Sequence, residues 1–297
     1  MTWWSNRVTV PVLVKRIIDG YRRSRADWSW ARFLGDTTPG LGDLQSVFLT
    51  LRNGQLTTME QRLLDSIGRR RAELAASHDV ITYRDFGAGT PDHPRSEQQL
   101  LVGVPSERAV ADLVKASIPQ SWGLLLLKLI RQFRPTCLVE LGSALGISGS
   151  FQTAALRLND EGHLFTLEGC PGMAERARET LSRIDDQRAT VVSGRFQDTL
   201  PGVLDRMGQV DFAFIDGHHD EQATIDYWSR IRDRMTGRSI AVFDDCNWSA
   251  GMQRAWQQVI RDPSVACSID LGKFGLCLCH DERFDRAMQF RLPYPTG

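Results

Sequence analysis

Residues 137–148, Cys137-Leu138-Val139-Glu140-Leu141-Gly142-Ser143-Ala144-Leu145-Gly146-Ile147-Ser148, set an apolar run, an acid and two glycines four apart ahead of a helix-forming stretch. That order predicts a buried parallel strand, a glycine turn and a helix start, and so commits the chain to an α/β fold with its sheet covered on both faces. The turn brings backbone N–H groups to a helix N-terminus, where a polar or anionic group is stabilised. Dinucleotide sites carry G-x-G-x-x-G here, because a pyrophosphate must approach the backbone closely. The present E-L-G-x-x-x-G lacks the middle glycine, which argues against NAD or FAD.

The pattern then repeats. After a helical stretch over 151–158, Leu164-Phe165-Thr166-Leu167-Glu168 reads as a second strand. It ends in an acid about 20 or more residues past the glycines, where a ribose-binding carboxylate belongs. Cys170-Pro171-Gly172 opens a helix, proline being suited to the first turn. Further strands over 189–193, 210–215 and 239–243 end at Gly194-Arg195-Phe196-Gln197-Asp198, Asp216-Gly217-His218-His219-Asp220 and Asp244-Asp245-Cys246-Asn247-Trp248. Strands alternating with helices give a parallel sheet, whose ligands bind outside the carboxyl ends of the strands. Every polar cluster named above falls on that rim.

From about Val104 to the C-terminus the chain resembles class I S-adenosylmethionine (SAM) dependent methyltransferases of the catechol O-methyltransferase-like group. The resemblance implies a Rossmann-like α/β fold with a seven-stranded sheet in the order 3-2-1-4-5-7-6, strands six and seven forming a hairpin over 265–270 and 275–280. It also implies that Gly142, Ser143 and Ser148 hold the methionine end of SAM, Glu168 the ribose hydroxyls, and Phe196 and Gln197 the adenine. Glu140, Gly146 and Asp216 complete the cofactor-binding set. In metal-dependent members an acid after strand four and an Asp-Asn pair after strand five bind magnesium, which places Asp216, Asp244 and Asp245 as metal ligands. Here the pair is Asp-Asp, and His219 stands where catechol-type enzymes use a lysine base.

Methyl transfer from a sulfonium is an in-line displacement that requires the acceptor to be oriented and its proton removed. His219 is the candidate base, histidine being the side chain suited to proton transfer near neutral pH, and Asp216 its catalytic neighbour. Three carboxylates on one rim repel one another unless protonated or bound to a hard cation such as Mg2+ or another divalent ion. Each residue also has a plainer reading. Glu168 suits a helix N-terminus, Asp216, Asp244 and Asp245 suit loop caps, His218 and His219 suit a solvated loop, and Phe196 suits a core.

The segment 80–89 is also strand-like and ends in another glycine pattern, Asp85-Phe86-Gly87-Ala88-Gly89, but Pro91 and Pro94 bar the helix that a cofactor turn needs. It is read as a turn, with covering of the active site as its functional alternative. The Asp-Phe-Gly triplet lacks the accompanying loops of protein kinases.

With Lys+Arg and Asp+Glu both at 36, the formal net charge is +0, and a polyanion such as nucleic acid is not the expected partner. The six cysteines lack paired C-x-x-C spacing and read as reduced core thiols. No stretch is long and apolar enough to span a membrane, and the start of the sequence lacks the order of a secretory signal, so a cytoplasmic location is expected.

Residues 1–103 fall outside the resemblance and are expected to form a helical extension or cap on a 104–297 methyltransferase domain, with the boundary at 91–96. The basic and tryptophan-containing segment over 8–33 reads as an amphipathic helix that packs on the domain or on the second copy of a homodimer, or adsorbs to an anionic surface. A second helix is announced by the capping box Thr57-Thr58-Met59-Glu60 and runs to about 77. A third spans 107–116 and leads to Trp122, read as either a wall of the site or core. The whole points to SAM-dependent transfer to a small-molecule hydroxyl, assisted by a divalent metal. The alternatives are transfer to nitrogen and a non-catalytic SAM-binding scaffold.

Overall fold

The chain is described here by a computed structural model, which covers residues 27–38, 40–87, 89–90, 92–279 and 287–294. Of the helix expected over 8–33, residues 8–26 lie outside the described residues, and residues 27–34 are helical. Helices α1 (Gly42–Arg52) and α2 (Thr58–Ala75) follow. Strand β1 (Val80–Asp85) pairs antiparallel with β2 (Val104–Ala109), and α3 (Val110–Ala116) and α4 (Gln120–Phe133) lead into the sheet. Strand and helix then alternate through β3 (Cys137–Leu141), α5 (Ile147–Asn159), β4 (His163–Glu168), α6 (Pro171–Ser182) and β5 (Ala189–Ser193). The alternation continues through α7 (Phe196–Met207), β6 (Val210–Ile215), α8 (Glu221–Arg232), β7 (Met235–Phe243) and α9 (Ala250–Val259). Strands β8 (Val265–Asp270), β9 (Gly275–Cys279) and β10 (Met288–Arg291) complete the sequence of elements.

Among the described residues the main sheet has eight strands in the order β10-β8-β9-β7-β6-β3-β4-β5. The expected 3-2-1-4-5-7-6 order is contained in it, with strands β3–β7 parallel and β8–β9 an antiparallel hairpin. The difference from a seven-stranded sheet is β10, which pairs parallel with β8. Its reason is an aromatic anchor: the Phe290 ring meets Phe33 at 5.1 Å, and Phe33 in turn packs edge-on against Phe48 at 5.6 Å. The outermost strand therefore owes its place to helices that precede the sheet in sequence.

The helical extension is stapled to the sheet layers by polar contacts as well as by apolar burial. Thr57 caps α2 in the expected capping box with Glu60. Glu60 also holds Lys128 of α4 at 2.8 and 2.9 Å, both residues being buried. Arg70 of α2 reaches α6 through Thr180 at 3.0 Å and Glu179 at 3.1 Å. Two expectations for this region are corrected. The extension is not wholly helical, because the strand-like start of the segment 80–89 forms β1. Residues 107–109, expected in a helix, are the end of β2, and the helix starts at Val110. Alternating half-exposure along β1 and β2 is what an exposed two-stranded ribbon shows.

Trp122 is core: it is 1% exposed and packs against Phe274 and Tyr294, each ring centre 4.5 Å away. All six cysteines are free thiols, five of them buried, so Cys277 and Cys279 serve packing. Among the described residues no single helix is long and apolar enough to cross a membrane.

Candidate active site

The carboxyl ends of β3, β4 and β6 open onto a cavity of about 340 Å³, a volume typical of small-ligand sites. Gly142, Ser143 and Ser148 line its floor, and Glu168, Phe196, Asp216 and His219 line its sides. The glycine turn behaves as its spacing requires. Gly142 has φ +101°, and a Cβ there would stand 2.0 Å from the Asp216 carbonyl oxygen. Only a glycine lets the ends of β3 and β6 approach this closely. Gly146 caps α5 at φ +81°, and a Cβ on it would press the Ala177 backbone at 3.0 Å.

Glu168 is buried at the rim, its two carboxylate oxygens accepting from Ala144 N at 2.8 Å and Cys170 N at 2.9 Å. Burial raises its pKa above the ordinary carboxylate range, against the lowering effect of those backbone bonds. Glu140 does not line the cavity. It is fully buried beneath the turn, accepting from Gln152 Nε2 at 2.7 Å and from Thr166 Oγ1 at 2.5 Å. Desolvation pushes its pKa up to about 7. Thr166 is also hydrogen-bonded to Ser143, so Glu140 reaches the cavity floor through two hydroxyls.

The wall formed after β5 and β6 is aromatic. Phe196 stands edge-on to His218 at 5.6 Å and to Tyr227 at 5.9 Å. His218 accepts from or donates to the Tyr227 hydroxyl through Nδ1 at 2.6 Å, and burial lowers its pKa. Gln197 and Gly146 are beside the cavity lining rather than in it. With its side-chain oxygen facing the guanidinium, Gln197 accepts from Arg195 Nε at 3.0 Å. Four of the six non-glycine residues with positive φ among those described, Ala144, His218, His219 and Asp245, lie in the rim loops. Backbone strain of that kind concentrates at functional sites.

The roof is formed by residues whose covering role was the alternative to a plain turn. Tyr83, Arg84, Asp85, Phe86 and Gly87, at the end of β1, close the cavity from above. Asp85 accepts from Gly87 N at 2.9 Å and pairs with Arg95 at 2.8 Å, and Arg195 lies over the Phe86 ring at 4.6 Å.

Beside the cavity, His219 Nε2 is 3.6 Å from Asp216 Oδ1. Asp244 N donates to Ile215 O at 2.9 Å, which sets it next to Asp216, and the Asp216 pKa is raised well above the ordinary value by burial and by the Asp244 charge. Asp244 and Asp245 do not line the cavity. Lys273, which the sequence did not mark because a lysine in a hairpin turn reads as solvated, holds both of them. Its Nζ is 2.7 and 2.9 Å from the two oxygens of Asp244 and 2.7 Å from Asp245 Oδ1. The expected metal ligands thus do not fit a divalent ion as they stand, since their oxygens already converge on an ammonium. Among the described residues no group of three or more His, Cys, Asp or Glu is arranged to hold a metal.

Residues 139–246 match a family profile described as a methyltransferase domain. A curated protein of Mycobacterium sp. (strain JLS), named as a presumed O-methyltransferase, is 29% identical over 127 residues, covering 42% of this chain and 56% of that protein. A counterpart from strain KMS matches with the same identity and coverage. The chain spans about half the length of these curated relatives. Among solved structures, the O-methyltransferase TomG from Streptomyces achromogenes in complex with SAM is similar at TM-score 0.49 and 24% identity, over 55% of this chain and 82% of that one. An O-methyltransferase from Bacillus cereus in complex with SAH is similar at TM-score 0.49 and 20% identity, over 63% of this chain and 92% of that one.

Proposed function

We propose that this chain is a class I SAM-dependent methyltransferase that moves a methyl group from SAM to a hydroxyl oxygen of a small-molecule acceptor. The observation that carries the reading is the convergence of Gly142, Ser143, Ser148, Glu168, Phe196, Asp216 and His219 on one cavity at the carboxyl ends of parallel strands. The cradle fits the donor. A glycine turn at a helix start suits the amino-acid end, a buried carboxylate suits vicinal hydroxyls, and Phe196 offers a ring for the adenine.

SAM supplies an electrophilic methyl on a positively charged sulfur. The protein binds it against the glycine turn and excludes water beneath the Tyr83–Gly87 roof. An acceptor hydroxyl beside His219 gives its proton to the imidazole as the oxygen–methyl bond forms and the sulfur–methyl bond breaks. Asp216, its Oδ1 3.6 Å from His219 Nε2, is the acidic neighbour of the imidazole as it takes up the proton. No step is routed through a divalent metal, because Lys273 takes up the oxygens that would hold it.

Isothermal titration with SAM and with SAH, followed by a labelled-methyl assay over hydroxylated aromatics and amines, tests the proposal. Binding of both compounds with label passing to hydroxyls supports it. Absence of SAM binding would overturn the cofactor reading, binding without transfer would make the chain a SAM-binding scaffold, and label passing to amines alone would make it an N-methyltransferase.

A further inference from the structure

The loop after β7 and the turn between β8 and β9 form a rigid clip outside the cavity. Within the turn, Leu271 N donates to Phe274 O at 2.9 Å, Gly272 has φ +91°, and Gly272 N donates to Asp270 Oδ1 at 2.8 Å. The clip is fastened to the loop by Cys246 N donating to Lys273 O at 3.2 Å. Asn247 Nδ2 adds bonds to Gly272 O at 2.8 Å and to Asp270 Oδ1 at 3.0 Å. These bonds fix the backbone of Lys273 independently of its side chain, which then delivers Nζ between Asp244 and Asp245.

We propose that Lys273 is a built-in cation, a positioning residue that occupies the place of a divalent metal among Asp216, Asp244 and Asp245 and makes methyl transfer by this chain independent of divalent ions. An ammonium has three donors and no acceptor. Here three carboxylate oxygens stand within 2.9 Å of it, so its donors are fully matched. These are hydrogen-bond distances, whereas magnesium or calcium requires oxygens at about 2.0–2.6 Å and about six or more of them. Asp244 is 3% exposed, so a metal entering here must displace the lysine from oxygens that solvent barely reaches. Asp244 N bonds to Ile215 O at 2.9 Å, so by holding Asp244 and Asp245 the lysine fixes the carboxylates beside Asp216, the acid that faces His219.

The inference rests on the proposed methyl transfer only for its catalytic part, and metal binding is measured separately. Manganese titration followed by electron paramagnetic resonance is applied to the full chain, to Lys273→Met and to Lys273→Arg, alongside methyl transfer with and without EDTA. The wild type and Lys273→Arg are expected to bind no stoichiometric manganese, and Lys273→Met to bind it at least about tenfold more tightly, since carboxylate charge sets such affinities. Wild-type turnover is expected to be unchanged by EDTA. Lys273→Met is expected to lose turnover and Lys273→Arg to retain most of it. Stoichiometric manganese binding by the wild type overturns the proposal, as does EDTA-sensitive turnover restored by magnesium, or a folded Lys273→Met that gains no manganese affinity. If Lys273→Met does not fold, the wild-type and Lys273→Arg titrations decide. A chain without any methyl transfer would sink the functional reading and leave the manganese comparison intact.

Discussion

Glu168 separates a ribose contact from a structural cap. Its oxygens already take two backbone donors, at 2.8 and 2.9 Å, and each still has a lone pair for a ligand. Glu168→Ala is therefore expected to weaken SAM binding by about 1.5–3 kcal/mol, the worth of charge-assisted hydrogen bonds. Titration calorimetry measures this, and unchanged affinity removes the residue from the site. His219→Gln is expected to lower turnover by about 10²–10⁴-fold while leaving SAM affinity alone, as loss of a general base does. Equal turnover would reassign the base. Glu140 makes a prediction about stability. Its pKa, about 7 in the fold against an ordinary 4.5, means that the native state holds its proton more tightly than the unfolded chain. The favourable contribution is complete below the unfolded value and is lost as pH rises towards 7. At 1.36 kcal/mol per unit the loss amounts to about 3 kcal/mol. Glu140→Gln, which mimics the protonated acid, is expected to gain on the wild type by that amount between pH 5 and 8 in urea unfolding. Parallel pH profiles for the two proteins would show that the wild-type carboxyl is already ionised at the lower pH.

At the scale of elements, the strands that build the rim were readable because each is a continuous apolar run closed by glycine or aspartate. Such a run forms a buried parallel strand whatever surrounds it. Of the pair β1–β2, the first strand was legible as strand-like and the second was not. Both strands are half exposed, and Glu107 and Arg108 sit in β2, so the local pattern there suits a helix start as well as a ribbon edge. What decides is the partner strand, whose paired residues are 19 to 29 positions away, from Asp85 with Val104 to Val80 with Ala109. The strand pairing that carries the roof is accordingly what escaped the sequence, covering having been read there only as an alternative, together with Lys273, whose partners are 28 and 29 residues away. The junction of α2 with α4 is a further long-range device and carries its own test. Lys128→Met leaves Glu60 buried without its cation, and removing one partner of a buried pair costs about 3–5 kcal/mol. The added change Glu60→Gln keeps the capping box, because glutamine also serves at that position. It is expected to recover most of the loss. Urea midpoints of the single and double variants check this, and a double variant as unstable as the single would place the effect in packing of the lysine stem.

For the whole molecule the question is whether residues before and after 103 behave as separate units, as the expected division into an extension and a 104–297 domain proposes. Three observations bear on it. The β1–β2 ladder joins residues on either side of 103, one continuous core contains Phe33 and Phe48 with Phe274 and Phe290, and the cavity takes its roof from one side and its floor from the other. A ligand in such a cavity stabilises both parts together, by RT ln(1 + [L]/Kd), or about 2.7 kcal/mol at a hundredfold excess over Kd. Differential scanning calorimetry is expected to show one transition, with calorimetric and van't Hoff enthalpies in agreement. Saturating SAM is expected to move that transition upward as a unit by a few degrees. Two independently folding units would instead give a second transition that stays in place when SAM is added. The temperature of that stationary peak would then measure the extension alone, and the shared core would have to be read as a docking interface between domains.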